Sequence, residues 1–204
     1  MRAKSWNDVT VNQFVKLHRT SKKEKEQDIE AIDLLTERAS ILKGVSNEDA
    51  LNISLDELTA FGTLVKSPLP TRIYETYQLN GIWYEFILKP GELDAERHAG
   101  IMEAIKLDPI EGIAQTMYYL SKPFKLGFKR KYYKLDKSLI PETLKDFGNM
   151  PISVAYPMAV FFLKVSKACT SYLVGYSTEK LTQIKKQVEE AQIDLLSSMD
   201  GLKQ

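Results

Sequence analysis

Apolar residues recur at helical spacing through the first third of the chain, and the period then shortens to two. Val11, Phe14, Val15 and Leu17 follow Thr10, a residue type whose hydroxyl accepts an otherwise orphaned amide hydrogen at a helix start. The charged run from Arg19 to Gln27 reads as a solvated stretch. Ile29, Ile32, Leu35, Ala39 and Leu42 stand at spacings of three and four and predict a second helix, closed by Gly44. Ser46-Asn-Glu-Asp49 and Ser54-Leu-Asp-Glu57 share the grammar of a capping box, in which the acid three residues on reaches back to the cap amide. Two short helices in series follow, the second burying Leu58, Phe61 and Leu64.

Ser67-Pro-Leu-Pro70 breaks the helical pattern, because proline lacks the amide hydrogen and restrains its predecessor. Ile73 to Leu79 and Ile82 to Leu88 then flank Asn80-Gly81. That dipeptide favours the positive backbone angles of a type I′ turn, and both arms are rich in β-branched and aromatic residues. The prediction is a β-hairpin with Trp83, Glu85 and Ile87 on one face and Tyr84, Phe86 and Leu88 on the other. An isolated hairpin is only marginally stable, so a strand or helix must cover it.

Helical spacing returns over Glu92 to Leu107, with Leu93, His98, Ile101, Met102 and Ile105 near one face. Asp108 reads as a cap, with Pro109 at the first position of a helix running to Leu120. A basic aromatic linker covers Lys122 to Lys137, Pro141 to Phe147 reads as a short helix, and Pro151 opens an apolar helix. Ser177 or Thr178 caps a long amphipathic helix carrying Leu181, Ile184, Val188, Ala191, Leu195 and Met199. The expected fold is α+β, mainly α: a helical N-terminal unit over 1–66, then a central hairpin and helices over 67–204. The two parts can also form one domain.

Composition narrows the chemistry. A chain of 204 residues can bury a core without disulfides or metals. Lys+Arg 28 against Asp+Glu 27 gives a net charge of +1, so no whole-protein field gathers nucleic acid or a membrane surface. The single cysteine, Cys169, excludes an internal disulfide and a cysteine-built zinc site. His18 and His98 lie too far apart for a metal motif. The polar start does not read as a secretory signal. The most apolar stretch, Val154 to Leu163, is about half the ~20 residues that a membrane-spanning helix needs. These features predict a protein that acts inside a cell, or a particle assembled there, without contact with membrane.

Catalysis finds no constellation. Glu48-Asp49, Asp56-Glu57 and Glu189-Glu190 sit at helix starts or on exposed faces, where they favour the helix dipole or solubilise. The glycines are scattered as helix ends and turns, with no phosphate-cradling loop. Cys169 follows Lys164 and Lys167, yet its apolar neighbours read as a buried site. The expectation is therefore a non-enzyme with no cofactor and no metal.

Two surface signals remain. In the basic segment, Lys125, Lys129, Arg130, Lys131 and Lys134 interleave with Tyr132 and Tyr133. Cations neutralise phosphates while aromatic rings stack on unpaired bases, so single-stranded nucleic acid is one fitting ligand. An acidic protein partner, or a plain surface strand or loop, fits the same residues. The hairpin aromatics Tyr74, Tyr77, Trp83, Tyr84 and Phe86 are the other signal, read as core or as a docking face, since tyrosine and tryptophan are enriched at binding hot spots. The stripe Leu181, Ile184, Val188 and Leu195 completes the candidate partner-binding set.

Two groups of segments also carry a family resemblance. Near the start stand Trp6-Asn-Asp-Val-Thr-Val-Asn-Gln-Phe14, Ala39 to Leu51 and Ile53-Ser-Leu-Asp-Glu-Leu58. In the middle stand Tyr77-Gln-Leu-Asn-Gly-Ile-Trp-Tyr84, Leu88-Lys-Pro-Gly-Glu-Leu93 and Asp108-Pro109. The succession resembles small morphogenesis proteins of tailed bacteriophages, among them tail assembly chaperone-like and virion-associated proteins, including those of Bacteroides-group phages. It covers roughly the first 120 residues and consists of capping and turn grammar, so it transfers no binding residue. The resemblance implies a non-enzymatic role through protein–protein contacts. The partner would be a phage structural protein or a second copy of the chain, in the host cytoplasm during assembly. A structural virion component is the near alternative, and a nucleic-acid-binding module the more distant one.

Overall fold

A computed structural model describes residues 5–26, 30–125, 131–132 and 140–165. The fold is α+β and mainly helical. Helix α1 spans Val11–Glu26, α2 Ala31–Lys43, α3 Asn47–Ala50 and α4 Leu55–Lys66. Strands β1 (Thr76–Leu79) and β2 (Ile82–Phe86) follow, then a 3-10 turn at Pro90–Glu92. Next come α5 (Ala95–Leu107), α6 (Ile113–Leu120), β3 (Ser121–Lys125), β4 (Lys131–Tyr132) and α7 (Ile140–Gly148). Residues 152–165 form α8.

Local chemistry sets the helix starts. Thr10 Oγ1 accepts from the Gln13 amide at 3.2 Å while Gln13 Oε1 accepts from the Thr10 amide at 2.9 Å. This reciprocal pair is a full capping box. The Gln13 side-chain amide also donates to the Ile41 carbonyl at 3.0 Å, so one residue starts α1 and covers the end of α2. Ser46, Ser54 and Asp94 accept from the amides of Asp49, Glu57 and Arg97. Gly44 ends α2 at φ 71°, the left-handed conformation that a Cβ disfavours. The charged run after Leu17 continues α1 through Glu26. Its Arg19, Lys22 and Lys23 reach Glu111, Asp108 and Glu37 elsewhere in the fold.

Two helix faces differ from the periodic expectation. Ile32 is 51% exposed, whereas Leu34 is buried, so α2 turns a stripe centred on Leu34, Ala39 and Leu42 inward. In α5, His98 is exposed, and Gly100, Ile101 and Ala104 face the interior. The start of α6 also differs. Asp108 does cap, accepting from the Ile110 and Glu111 amides, but residues 109–112 make a turn and the helix begins at Ile113. Gly112 forces this geometry. A Cβ there would stand 2.3 Å from the Ala104 carbonyl oxygen, so the corner packs directly against α5.

The four strands form one antiparallel sheet in the order β1-β2-β3-β4. The hairpin turn is as expected, with φ 49° at Asn80 and 80° at Gly81, and Tyr77 pairs with Tyr84. The Asn80 side chain donates to Asp146 at 2.8 Å, tying the turn to α7. What read as a linker from Lys122 is a strand: Trp83 pairs with Phe124, Tyr84 with Pro123, and Phe86 with Ser121. Among the described residues β4 pairs only with Phe124 and Lys125 of β3, and none pairs with Pro123 on that side. The Arg97 guanidinium donates to the Tyr119 and Ser121 carbonyls at 2.8 and 2.7 Å, satisfying backbone acceptors where α6 passes into β3.

Leu58, Phe61 and Leu64 of α4 share a buried cluster with Leu79, Tyr84 and Phe86 of the hairpin, Met117 of α6, Phe147 of α7 and Met158 of α8. The core therefore runs without interruption past Ser67 to Pro70. Tyr84 and Tyr118 each pack edge-on against Phe147 at 5.1 and 6.3 Å. A backbone bridge joins Thr10 to Pro151, with Val11 donating to Met150 and Ile152 to Val9, so the chain's early and late helices start side by side. Contacts group residues 1–162 into one unit and 163–204 into a second. The expected terminal helix, with Leu181, Ile184, Val188 and Leu195, lies outside the described residues, as does Cys169. No helix among the described residues is long and apolar enough to cross a membrane.

Candidate partner-binding surfaces

The sheet divides the predicted aromatic set by strand alternation. Tyr84 and Phe86 point to the helices and are 3% and 4% exposed. They are core residues, which corrects their assignment as partner contacts: the helices of this chain cover that face. Tyr74 and Tyr77 pack half-buried against the same core, and burial pushes the Tyr77 phenol above its ordinary pKa, with Tyr74 adding to the shift. Arg72 lies over the Tyr74 ring, 5.0 Å from its centroid.

The opposite face carries a row formed by the register Gln78–Trp83–Phe124–Tyr132. Trp83 and Phe124 have ring centroids 6.3 Å apart, and Phe124 and Tyr132 6.0 Å apart. None of these three rings belongs to the helix-covered clusters. Trp83 is half-buried, Phe124 is 2% exposed and Tyr132 is 51% exposed. The Tyr132 hydroxyl donates to the Glu85 carboxylate on β2. One position along, Lys125 and Lys131 stand directly opposite each other on the sheet face away from Phe124 and Tyr132, and both are exposed. Lys129, Arg130, Tyr133 and Lys134 lie outside the described residues.

Pattern reading missed a second surface. Leu51, at the end of α3, and Leu55, the first residue of α4, are each 72% exposed, with Val45 at 37% close by in sequence. Isolated exposed leucines are ordinary, but here three large apolar side chains are exposed within eleven residues of sequence. The available signal was their position. Each sits at a helix end, off the stripe of Ala50, Leu58, Phe61 and Leu64 that enters the core.

Charges outside these surfaces serve the fold. The Arg19 guanidinium grips Glu111 with two hydrogen bonds, 2.9 and 3.1 Å, and Lys22 contacts Asp108. Together they join α1 to the corner before α6. The Lys22 ammonium, with the Ile110 and Glu111 amides, holds the Asp108 carboxyl down at about 2 against opposing desolvation. His18 Nε2 lies 3.7 Å from the same carboxylate. Nearby, Trp6, Phe14, Leu17, His18, Val65 and Leu69 line a pocket of about 280 Å³. Among the described residues the buried Trp6 indole N–H meets no hydrogen-bond partner. Among the described residues no group of three His, Cys, Asp or Glu side chains is placed to hold a metal.

Comparison with protein-family models, with curated proteins and with solved structures returns no match.

Proposed function

We propose that this protein is a non-enzymatic bacteriophage morphogenesis protein that works by protein–protein contacts in the manner of a tail assembly chaperone. The observation that carries the reading is the exposure of Leu51 and Leu55 at 72% each, within the segment whose capping grammar resembles those chaperones. A protein that shields an aggregation-prone structural partner needs apolar surface its own core does not use, and burial of such surface drives association. The proposed site of action is the host cytoplasm.

The test is purification of the tagged protein from infected cells, with bound proteins identified by mass spectrometry. The expected result is a phage structural protein in the eluate and absence of the chain from mature particles. Leu51→Asp with Leu55→Asp should release that partner while leaving thermal stability within about 0.5 kcal/mol, as for other surface changes. Presence in mature particles at a fixed copy number would move the assignment to a structural virion component. Recovery of no phage protein would defeat the reading altogether.

A further inference from the structure

The pocket of about 280 Å³ beside Trp6 shares no lining residue with the partner surfaces described above. Phe14, Leu17, His18 and Ser21 stand at spacings of three and four on α1, so one stripe of that helix forms a wall. Val65, near the end of α4, and Leu69 supply further apolar walls. Pro68 and Pro70 restrict the backbone on either side of Leu69. The Ser5 amide donates to Asp8 at 3.0 Å and fixes the turn that carries Trp6. The walls are therefore set by the fold itself.

Size, shape and polarity give the chemistry of an occupant. Mostly apolar walls with a few polar groups, here His18 and Ser21, are the usual form of a small-molecule site. An apolar cavity of about 150 Å³ takes up benzene, so this pocket has room for two fused rings. The Trp6 and Phe14 rings meet edge to face, with centroids 5.8 Å apart and planes at 80°. Such a corner offers a third ring both an edge and a face. Trp6 is only 7% exposed, and its indole N–H meets no acceptor among the described residues. A donor already stripped of water gains a full hydrogen bond when an acceptor reaches it. The charges near the pocket are paired, Lys22 with Asp108, Arg19 with Glu111 and Arg38 with Glu24, so none of them calls for an ionic ligand.

We propose that this pocket binds a small, flat, uncharged aromatic molecule that carries a hydrogen-bond acceptor. Its rings lie against Phe14, Leu17, Val65 and Leu69, and a tilt of the Trp6 ring brings the indole N–H onto the acceptor. The site goes beyond the chaperone reading and does not depend on it.

The experiment is a titration of the isotope-labelled full chain, followed in proton–nitrogen correlation spectra at neutral pH. The two tryptophans, Trp6 and Trp83, give two indole N–H signals, and Trp83→Phe tells them apart. The probes are naphthalene and quinoline, which match in shape while only quinoline carries an acceptor nitrogen. Both should shift the Trp6 signal to saturation and leave that of Trp83 in place. Quinoline should move the Trp6 indole proton further downfield, because the effect of the added rings is common to both probes and the hydrogen bond is not. Val65→Phe and, separately, Leu69→Phe put a ring into the pocket and should weaken both probes about tenfold or more. Far-ultraviolet circular dichroism identifies which of these variants fold. No saturable change at Trp6 with either probe would overturn the proposal. So would the same Trp6 proton shift with both probes, or undiminished affinity in a folded pocket-filling variant. None of these results bears on capture of a phage protein, so failure here leaves the chaperone reading to its own test.

Discussion

Tyr132 reaches across β3 to donate its hydroxyl proton to Glu85 on β2, with its ring packed against Phe124 on the way. This contact fastens a strand of only two residues, β4, to the second strand of the sheet. Main-chain pairing at Phe124 and Lys125 gives little hold by itself, and the Lys125–Lys131 pair opposes it. Tyr132→Phe should therefore cost about 0.5–1.5 kcal/mol, the net value of a hydrogen bond. Combined with Glu85→Ala it should lose less than the sum of the two single changes. Denaturant unfolding of the four proteins of this cycle measures the coupling, and strict additivity would show that the contact contributes nothing.

Trp83 and Tyr84 are neighbours in sequence on opposite faces of the sheet. Tyr84 is 3% exposed against Phe147, while Trp83 is half-buried on the outer row. Tyr84→Ala should cost about 3–5 kcal/mol, as for other buried aromatics. Trp83→Ala should cost clearly less. Thermal melts of both variants distinguish the two faces. Equal destabilisation would mean that both faces of the hairpin are core.

Elements that depend on local chemistry were legible in the chain. Thr10, Ser46 and Ser54 cap the helices they precede, and Asn80-Gly81 makes the expected turn, because these effects need only neighbouring residues. The strand at Ser121–Lys125 was legible only as one alternative to a linker. Pro123 signals a helix stop, and its alternation is intelligible only beside β2, some 40 positions earlier in the register Tyr84–Pro123. Nor could alternation tell which hairpin face is core, since both carry aromatics and the deciding partner, Phe147, arrives from α7. Of the candidate surfaces, the basic and aromatic residues Lys125, Lys131 and Tyr132 were visible as a cluster of types. Leu51 and Leu55 were not, because an apolar residue at a helix end reads as core until its exposure is known.

Gly100 and Gly112 test how tightly the α5–α6 corner is packed. A Cβ on Gly100 would come within 2.2 Å of the Tyr119 ring, and one on Gly112 within 2.3 Å of the Ala104 carbonyl oxygen. A half-buried ring can swing aside, whereas a carbonyl in a helix cannot move without moving α5. Gly100→Ala should cost about 1–3 kcal/mol, in the usual range for overpacking, and Gly112→Ala should reach or exceed the top of that range. Pairing Gly100→Ala with Tyr119→Ala should recover part of the loss, and no second change at a side chain should recover Gly112→Ala. Chemical denaturation gives the ordering, and the reverse order would refute this account of the corner.

Asp108 makes the corner sensitive to acid. Its carboxyl falls from the ordinary value of 3.8 to about 2 in the folded chain, chiefly because Lys22 bonds to the charged form. A depressed folded pKa means that the unfolded chain takes up a proton first as pH falls. The stabilisation is therefore complete above about pH 4 and is lost between there and about pH 2. Glu111 is also held below its ordinary value, by Arg19, and contributes in the same sense. Asp108→Asn keeps a side-chain oxygen for the Ile110 and Glu111 amides and removes only the charge. It should lower the melting temperature at pH 7 by a few degrees, and the gap to the wild type should close as pH approaches 2. Melting curves of both proteins across this range decide the matter: a gap independent of pH would mean that Asp108 acts as a cap alone and that Lys22 adds no stability.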